Sequence, residues 1–191
     1  METNLDKINL SEYDLDGFDY KLFIHKDEIQ DRVKAIGRQI NEDYSKKLPV
    51  IIGVLNGSFL FMADLVRHLS IDFEVDFIKL SSYGNSTQSS GTVRLLKDIS
   101  ADLTGRNVIV VEDIVDTGLT IEFLYNRLME ASPLSLRFAT CLLKPVKNKI
   151  KDMIDYTGFE ISDSFVIGYG LDYAQKFRGL PSIYTLKEKK E

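Results

Sequence analysis

The chain has 191 residues, 44% of them hydrophobic, with 29 acidic against 24 basic side chains and a formal net charge of −5, enough apolar matter for one well-buried domain. That balance argues against a nucleic-acid binder or a protein that coats anionic membranes, since both need a positive face. One cysteine, Cys141, permits no internal disulfide and no thiolate metal cluster, which points to a reducing cytoplasm.

Residues 1–22 read as polar, irregular surface chain or as an edge strand around YKLFI. The opening METNLDKINLSEYDLDGF lacks the continuous apolar core of a signal peptide. No apolar run approaches the roughly 20 residues of a membrane-spanning helix. From Lys26 to Tyr44, Ile29, Val33, Ile36 and Ile40 recur at helical spacing and predict one buried stripe. LPVIIGVL (48–55) is wholly apolar, as expected of a strand covered on both faces. NGS breaks it, Ser58 is placed to N-cap, and FLFMADLVRHL reads as a helix.

FEVDFIKLSSY (73–83) alternates as a strand, GNSTQSSG (84–91) is a polar loop, and VRLLKD reads as a returning strand. NVIVVED is a second buried strand, LTIEFLYNRLME a helix and SLRFATCLLK (135–144) a third core strand. The remainder, from GFEISDSF onward, alternates short strands with turns. His25 and His68 read as surface or helix-end residues, and Cys141 as inert core. Apolar strands alternating with amphipathic helices predict an α/β fold with a mainly parallel central sheet flanked by helices. Neither a repeat nor a linker divides residues 1–191, so a single unit is expected. In such sheets ligands bind beyond the carboxyl ends of the strands.

The stretch NVIVVEDIVDTGLT (107–120) carries chemistry at such an end. A helix N-terminus presents unpaired N–H groups and partial positive charge, which attract phosphate. Gly118 permits a close turn there, and Thr117 and Thr120 add hydroxyl donors. This cradle works without the lysine of a nucleoside triphosphate loop. Glu112 and Asp113 can accept from the paired hydroxyls of a ribose, and Asp116 can handle a proton on a bound base.

VIVVEDIVDTGLT resembles the phosphoribosyl-diphosphate signature of type I phosphoribosyltransferases. GVLNGSFLFMADL, VDFIKLSSYGNS, LLKP and FVIGYGLDYAQKFRGL follow the hypoxanthine(-guanine) branch in the right order, so the likeness runs from about Lys21 to Leu186. It implies a core of about residues 23–164 under a small hood built from about 1–22 and 165–191. It also implies transfer of the 5-phosphoribosyl group from phosphoribosyl diphosphate to N9 of hypoxanthine or guanine, with Mg2+ as cofactor and a homodimer or homotetramer as the assembly.

Carried over by the same resemblance, Asp116 is the general acid/base at purine N7. Glu112 and Asp113 lie near the ribose and its metal, and Asp116, Thr117, Gly118, Leu119 and Thr120 form the 5-phosphate loop. Leu119 stands where relatives vary, so no side-chain cation helps there. Asn56 and Gly57 in the loop 55–58, where a non-proline cis peptide is typical, and Arg178 meet the pyrophosphate. Many relatives have a lysine or arginine at the place of Asn56. Phe165 stacks on the purine, Val166 reads its edge through the backbone, Lys144 donates to O6, and Asp172 contacts both purine site and magnesium. Pro145 follows Lys144 where several relatives are basic. Ser82 and Tyr83 match the pair that opens the family's mobile loop.

Two other functions compete. A nucleotide-sensing regulatory protein of the same fold that binds RNA would need a basic face, which this acidic chain lacks. A phosphoacceptor domain using Asp113 or Asp116 gives no reason for the late FVIGYGLDY array.

Overall fold

The computed structural model describes residues 18–82 and 93–188. Its larger sheet has six strands in the order β4-β3-β2-β5-β6-β7: β2 (Val50–Leu55), β3 (Glu74–Ser82), β4 (Val93–Lys97), β5 (Asn107–Val115), β6 (Ser135–Leu143) and β7 (Ile154–Glu160). All neighbours are parallel except β3 and β4, which return on each other antiparallel. The polar run 84–91 and Tyr83 lie outside the described residues.

Successive side chains of a strand point to opposite faces, and the two cores follow that rule. Ile51, Ile109 and Val111 pack with Ile29, Val33, Ile36 and Ile40 of α1 (Lys26–Asp43) and with Phe61, Met62 and Leu65 of α2 (Phe59–Arg67). Val50, Ile52, Val108 and Val110 pack on the other side with Ile121, Leu124 and Leu128 of α3 (Leu119–Met129) and Ile150 of the short α4 (Asn148–Lys151). Coverage on both faces is why β2 and β5 read as unbroken apolar runs.

A second, three-stranded antiparallel sheet, ordered β1-β9-β8, joins both ends of the described chain: β1 (Phe18–Ile24), β8 (Val166–Ile167) and β9 (Ile183–Glu188). Ile167, Leu180 and Leu186 form its own small core, with Phe18, Phe177 and Tyr184 against them. The edge strand expected around YKLFI is β1. His25 ends that strand and N-caps α1, its Nδ1 accepting from the Asp27 N–H, while Glu28 reaches back to the His25 N–H. Among the described residues no helix is long and apolar enough to cross a membrane.

Two expectations are corrected. Ser58 occupies the N-cap position of α2 but does not cap it: with φ −70° and ψ −6° it is already helical, and its hydroxyl donates back to the Val54 carbonyl at 2.6 Å. Strand β5 does not stop at Asp113. It stays paired with β6 as far as Val115 opposite Leu143, because Ile114 and Val115 continue its apolar alternation. Glu112 and Asp113 are strand residues as expected, and Asp116 alone of the three carboxylates lies past the end.

Candidate active site

The carboxyl ends of β2, β5 and β6 deliver three short segments to one edge of the sheet, and the turn-rich chain between β8 and β9 closes over them. On β5, Glu112 is buried and its Oε2 has no hydrogen-bond partner among the described residues. Burial pushes its carboxyl well above the usual range, reinforced by the charge of Asp113 beside it. Burial also raises Asp113, although hydrogen bonds from Glu112 and the Ile114 N–H and the charge of Arg178 oppose the rise.

Loop 55–58 follows β2 and contains a cis peptide bond between Leu55 and Asn56. Gly57 is packed against Asp113: a Cβ on Gly57 would collide with the Asp113 carboxylate. Gly170, at φ +99°, abuts the Gly57 carbonyl from the opposite side. The turn thus meets the loop backbone to backbone, where only glycine fits at 170, and the loop meets β5 through the Asp113 side chain. Tyr169, buried next door, donates to Asp64 of α2 at 2.7 Å and pins this turn to the core.

Arg178 lies across the same turn. Its guanidinium donates to the Gly170 carbonyl at 2.7 Å, to Gln175 at 3.1 Å and pairs with Asp172 at 2.6 Å. The second Asp172 oxygen accepts from the Gln175 N–H at 2.8 Å. An anion arriving here would share an arginine that its own loop already orients.

Beyond β5, Asp116 and Thr117 are exposed, and Gly118 turns the chain at φ +84° into α3. A Cβ at Gly118 would lie 2.7 Å from Ile150, so the turn is both left-handed and closely packed. The Thr117 hydroxyl accepts from the Leu119 N–H at 3.4 Å. The remaining first-turn N–H groups of α3 have no acceptor inside the helix.

Lys144 leaves the end of β6, its N–H bonded to the Val115 carbonyl at 3.0 Å. Its side chain is 10% exposed, and the ammonium lies 3.1 Å from Asp116 and 3.2 Å from Asp163. Phe165 is half exposed, edge-on to Tyr173 with ring centres 6.1 Å apart. Val166 is buried in β8 and paired with Thr185.

A cavity of about 230 Å³ is lined by Asp113, Asp116, Lys144, Phe165, Val166 and Asp172. The residues selected for a purine and the proposed acid/base therefore meet in one place. Ile114 and Leu171 complete its wall and were missed in the sequence, as was Asp163 on Lys144. Ile114 stands between two selected carboxylates and Leu171 beside Asp172, so adjacency was the available signal. Gly57 meets the cavity wall at Asp113 and Arg178 meets it at Asp172, while Thr117–Thr120 follow Asp116 in the chain. Ser82 ends β3.

A divalent cation with oxygen preference fits the donors. Glu112 and Asp113 give adjacent carboxylates, one with a buried oxygen that lacks a partner, and Asp172 adds a third acid on the cavity wall. The described residues hold no ready-made cluster of three ligands. Magnesium takes one or two carboxylates and fills the rest of its shell with water and substrate oxygens, and these acids would need such completion.

Comparisons with known proteins agree with this geometry. The family model described as the phosphoribosyl transferase domain matches residues 25–174. The hypoxanthine-guanine phosphoribosyltransferase of Bacillus subtilis (strain 168) is 44% identical over 167 residues, 87% of this chain and 93% of that protein. The bifunctional protein TilS/HprT of Listeria monocytogenes serotype 4b (strain F2365) is 41% identical over 167 residues, 87% of this chain but 26% of that longer protein. A crystal structure of a hypoxanthine phosphoribosyltransferase from Staphylococcus aureus superposes with a TM-score of 0.82 at 34% identity, covering 95% of this chain and 96% of that one. With a matching family model, a 44% identical relative of nearly the same length and a shared fold, the chain belongs to the phosphoribosyltransferase family, in its hypoxanthine-guanine branch.

Proposed function

We propose that this protein is a purine salvage enzyme that transfers the 5-phosphoribosyl group from phosphoribosyl diphosphate to N9 of hypoxanthine, and also of guanine, releasing pyrophosphate and the nucleoside monophosphate. The observation that carries the reading is the cavity that unites Asp116, Lys144, Phe165 and Val166. A 6-oxopurine offers an N7 proton and an O6 acceptor side by side on one edge. Asp116 and Lys144, a carboxylate and an ammonium 3.1 Å apart, present the complementary acceptor and donor. Adenine would set an amino group against the Lys144 ammonium, so the same pair rejects it.

The roles divide along the elements. The exposed face of Phe165 stacks on the ring, and Val166 presents backbone to its edge. Asp116 holds the N7 proton as N9 bonds to the anomeric carbon, and its charge favours the cationic sugar that develops there. Glu112 and Asp113 accept from the ribose hydroxyls. The first-turn N–H groups of α3, with Thr117, Gly118, Leu119 and Thr120, hold the 5-phosphate. Asn56, Gly57 and Arg178 orient the pyrophosphate, the arginine through its planar fork. Glu112 and Asp113 on the ribose side and Asp172 on the pyrophosphate side would hold Mg2+, which would supply positive charge toward the leaving group.

The chain is a single domain, with the core of about residues 23–164 beneath the hood. It acts in the cytoplasm as a homodimer or homotetramer. The test is to mix purified protein with phosphoribosyl diphosphate, magnesium and hypoxanthine. Inosine monophosphate and pyrophosphate should form in equal amounts; no product at any substrate level overturns the assignment.

A further inference from the structure

We propose that Asp163 is a positioning residue for purine selection, acting through Lys144. The inference deepens the 6-oxopurine reading and rests on it.

An ammonium has three N–H donors in tetrahedral array. In Lys144 two of them face carboxylates, Asp116 at 3.1 Å and Asp163 at 3.2 Å, and the third remains for a ligand in the cavity. The stem is 10% exposed, so the ammonium is held where it is by packing and by its two acids. Without Asp163, one strong partner remains, and it is the residue that must also take the N7 proton. The ammonium already lies 3.1 Å from Asp116, so the purine would then have to displace that contact with no second carboxylate left to hold Lys144 in place.

Asp163 is built to avoid this. It sits at the tip of a tight turn closed by the Ser164 N–H on the Ser162 carbonyl at 2.8 Å, with the two serine hydroxyls 3.1 Å apart. The next residue but one is Phe165, whose carbonyl accepts from the Leu186 N–H of β9 at 3.0 Å. The turn therefore ties the Lys144 ammonium of the large sheet to the aromatic that comes from the small one. Asp163 itself is 85% exposed at its side chain, so it supports no packing, and its replacement leaves the fold intact.

The test compares Asp163→Asn and Asp163→Glu with the unsubstituted protein, measuring steady-state KM for hypoxanthine and for phosphoribosyl diphosphate. At about 0.01 M salt, Asp163→Asn should raise the hypoxanthine KM roughly threefold to fivefold, the range of an exposed ion pair. The KM for phosphoribosyl diphosphate should stay put, and Asp163→Glu should recover most of the loss. Near 1 M salt, where screening acts within roughly 3 Å, the difference between Asn variant and parent should shrink. An unmoved hypoxanthine KM at low salt, or an equal rise in both KM values, overturns the role of Asp163 alone. Absence of inosine monophosphate from the unsubstituted protein overturns the purine reading and this proposal with it.

Discussion

Gly170 stands directly over the carbonyl of Gly57, in a backbone conformation of φ +99° that a side chain would both strain and obstruct. Through this one contact the turn bearing Asp172 and Arg178 rests on the loop that follows β2.

Gly170→Ala should therefore disturb two segments at once. The left-handed strain alone costs about 1–3 kcal/mol, and the collision is with backbone, which cannot swing aside. A loss of about 2–3 kcal/mol, or a fall in Tm of roughly 5–10 °C for a chain of this size, is expected, together with a raised KM for phosphoribosyl diphosphate. Calorimetry and steady-state kinetics on the one variant check both; an unchanged Tm removes the packing argument.

Asp116→Asn keeps the shape of the β5–α3 turn and removes the charge. Turnover should fall by about 10²–10⁴-fold, the usual range for a lost general acid or base, while affinity for phosphoribosyl diphosphate changes little. Single-turnover rates alongside equilibrium binding separate the two effects, and undiminished turnover rejects the assignment.

Lys144→Ala removes a charged hydrogen bond of the kind that contributes about 1.5–3 kcal/mol. The KM for hypoxanthine should rise by roughly 10- to 100-fold, and the preference over adenine should narrow. Competition between the two bases in one reaction mixture measures the preference directly. If selectivity survives the substitution, Lys144 does not read O6.

Away from the site, Asp76 on β3 governs acid stability. Burial would raise its carboxyl, but the N–H groups of Ala101, Ser100 and Phe77 and the Lys97 ammonium outweigh that and hold it at about 2, below the ordinary 3.8. A carboxyl lowered by folding stabilises fully above its unfolded value, and that stabilisation is lost as pH falls from about 4 through about 2. It amounts to about 2 kcal/mol. Asp76→Ala should be less stable than the parent by that order near neutrality, and the two urea-unfolding curves should converge near pH 2. A gap that persists in acid would show that Asp76 works by packing instead.

The fold was legible wherever periodicity and burial coincide. Ile29, Val33, Ile36 and Ile40 announced α1, and the apolar runs at 50–55 and 108–111 announced strands covered twice. Local chemistry was less legible. Ser58 has the side chain of a cap, yet the backbone it inherits from the preceding loop is already helical, so its hydroxyl turns back to Val54. Glu112 and Asp113 looked like a strand tip because carboxylates seldom sit inside a sheet; the burial of Glu112 and the upward push on both carboxyls reflect the cost of placing them there. Asp163 gave no sign at all, since an exposed aspartate in a turn is ordinary until the Lys144 ammonium is seen beside it.

The cavity has walls of separate origin. Asp113, Ile114, Asp116 and Lys144 belong to the six-stranded sheet and its ends, whereas Phe165 and Val166 belong to the three-stranded one, which carries a nucleus of its own around Ile167, Leu180 and Leu186. Substitutions on the smaller sheet can reshape the face that greets a base without repacking the strands that carry the acids.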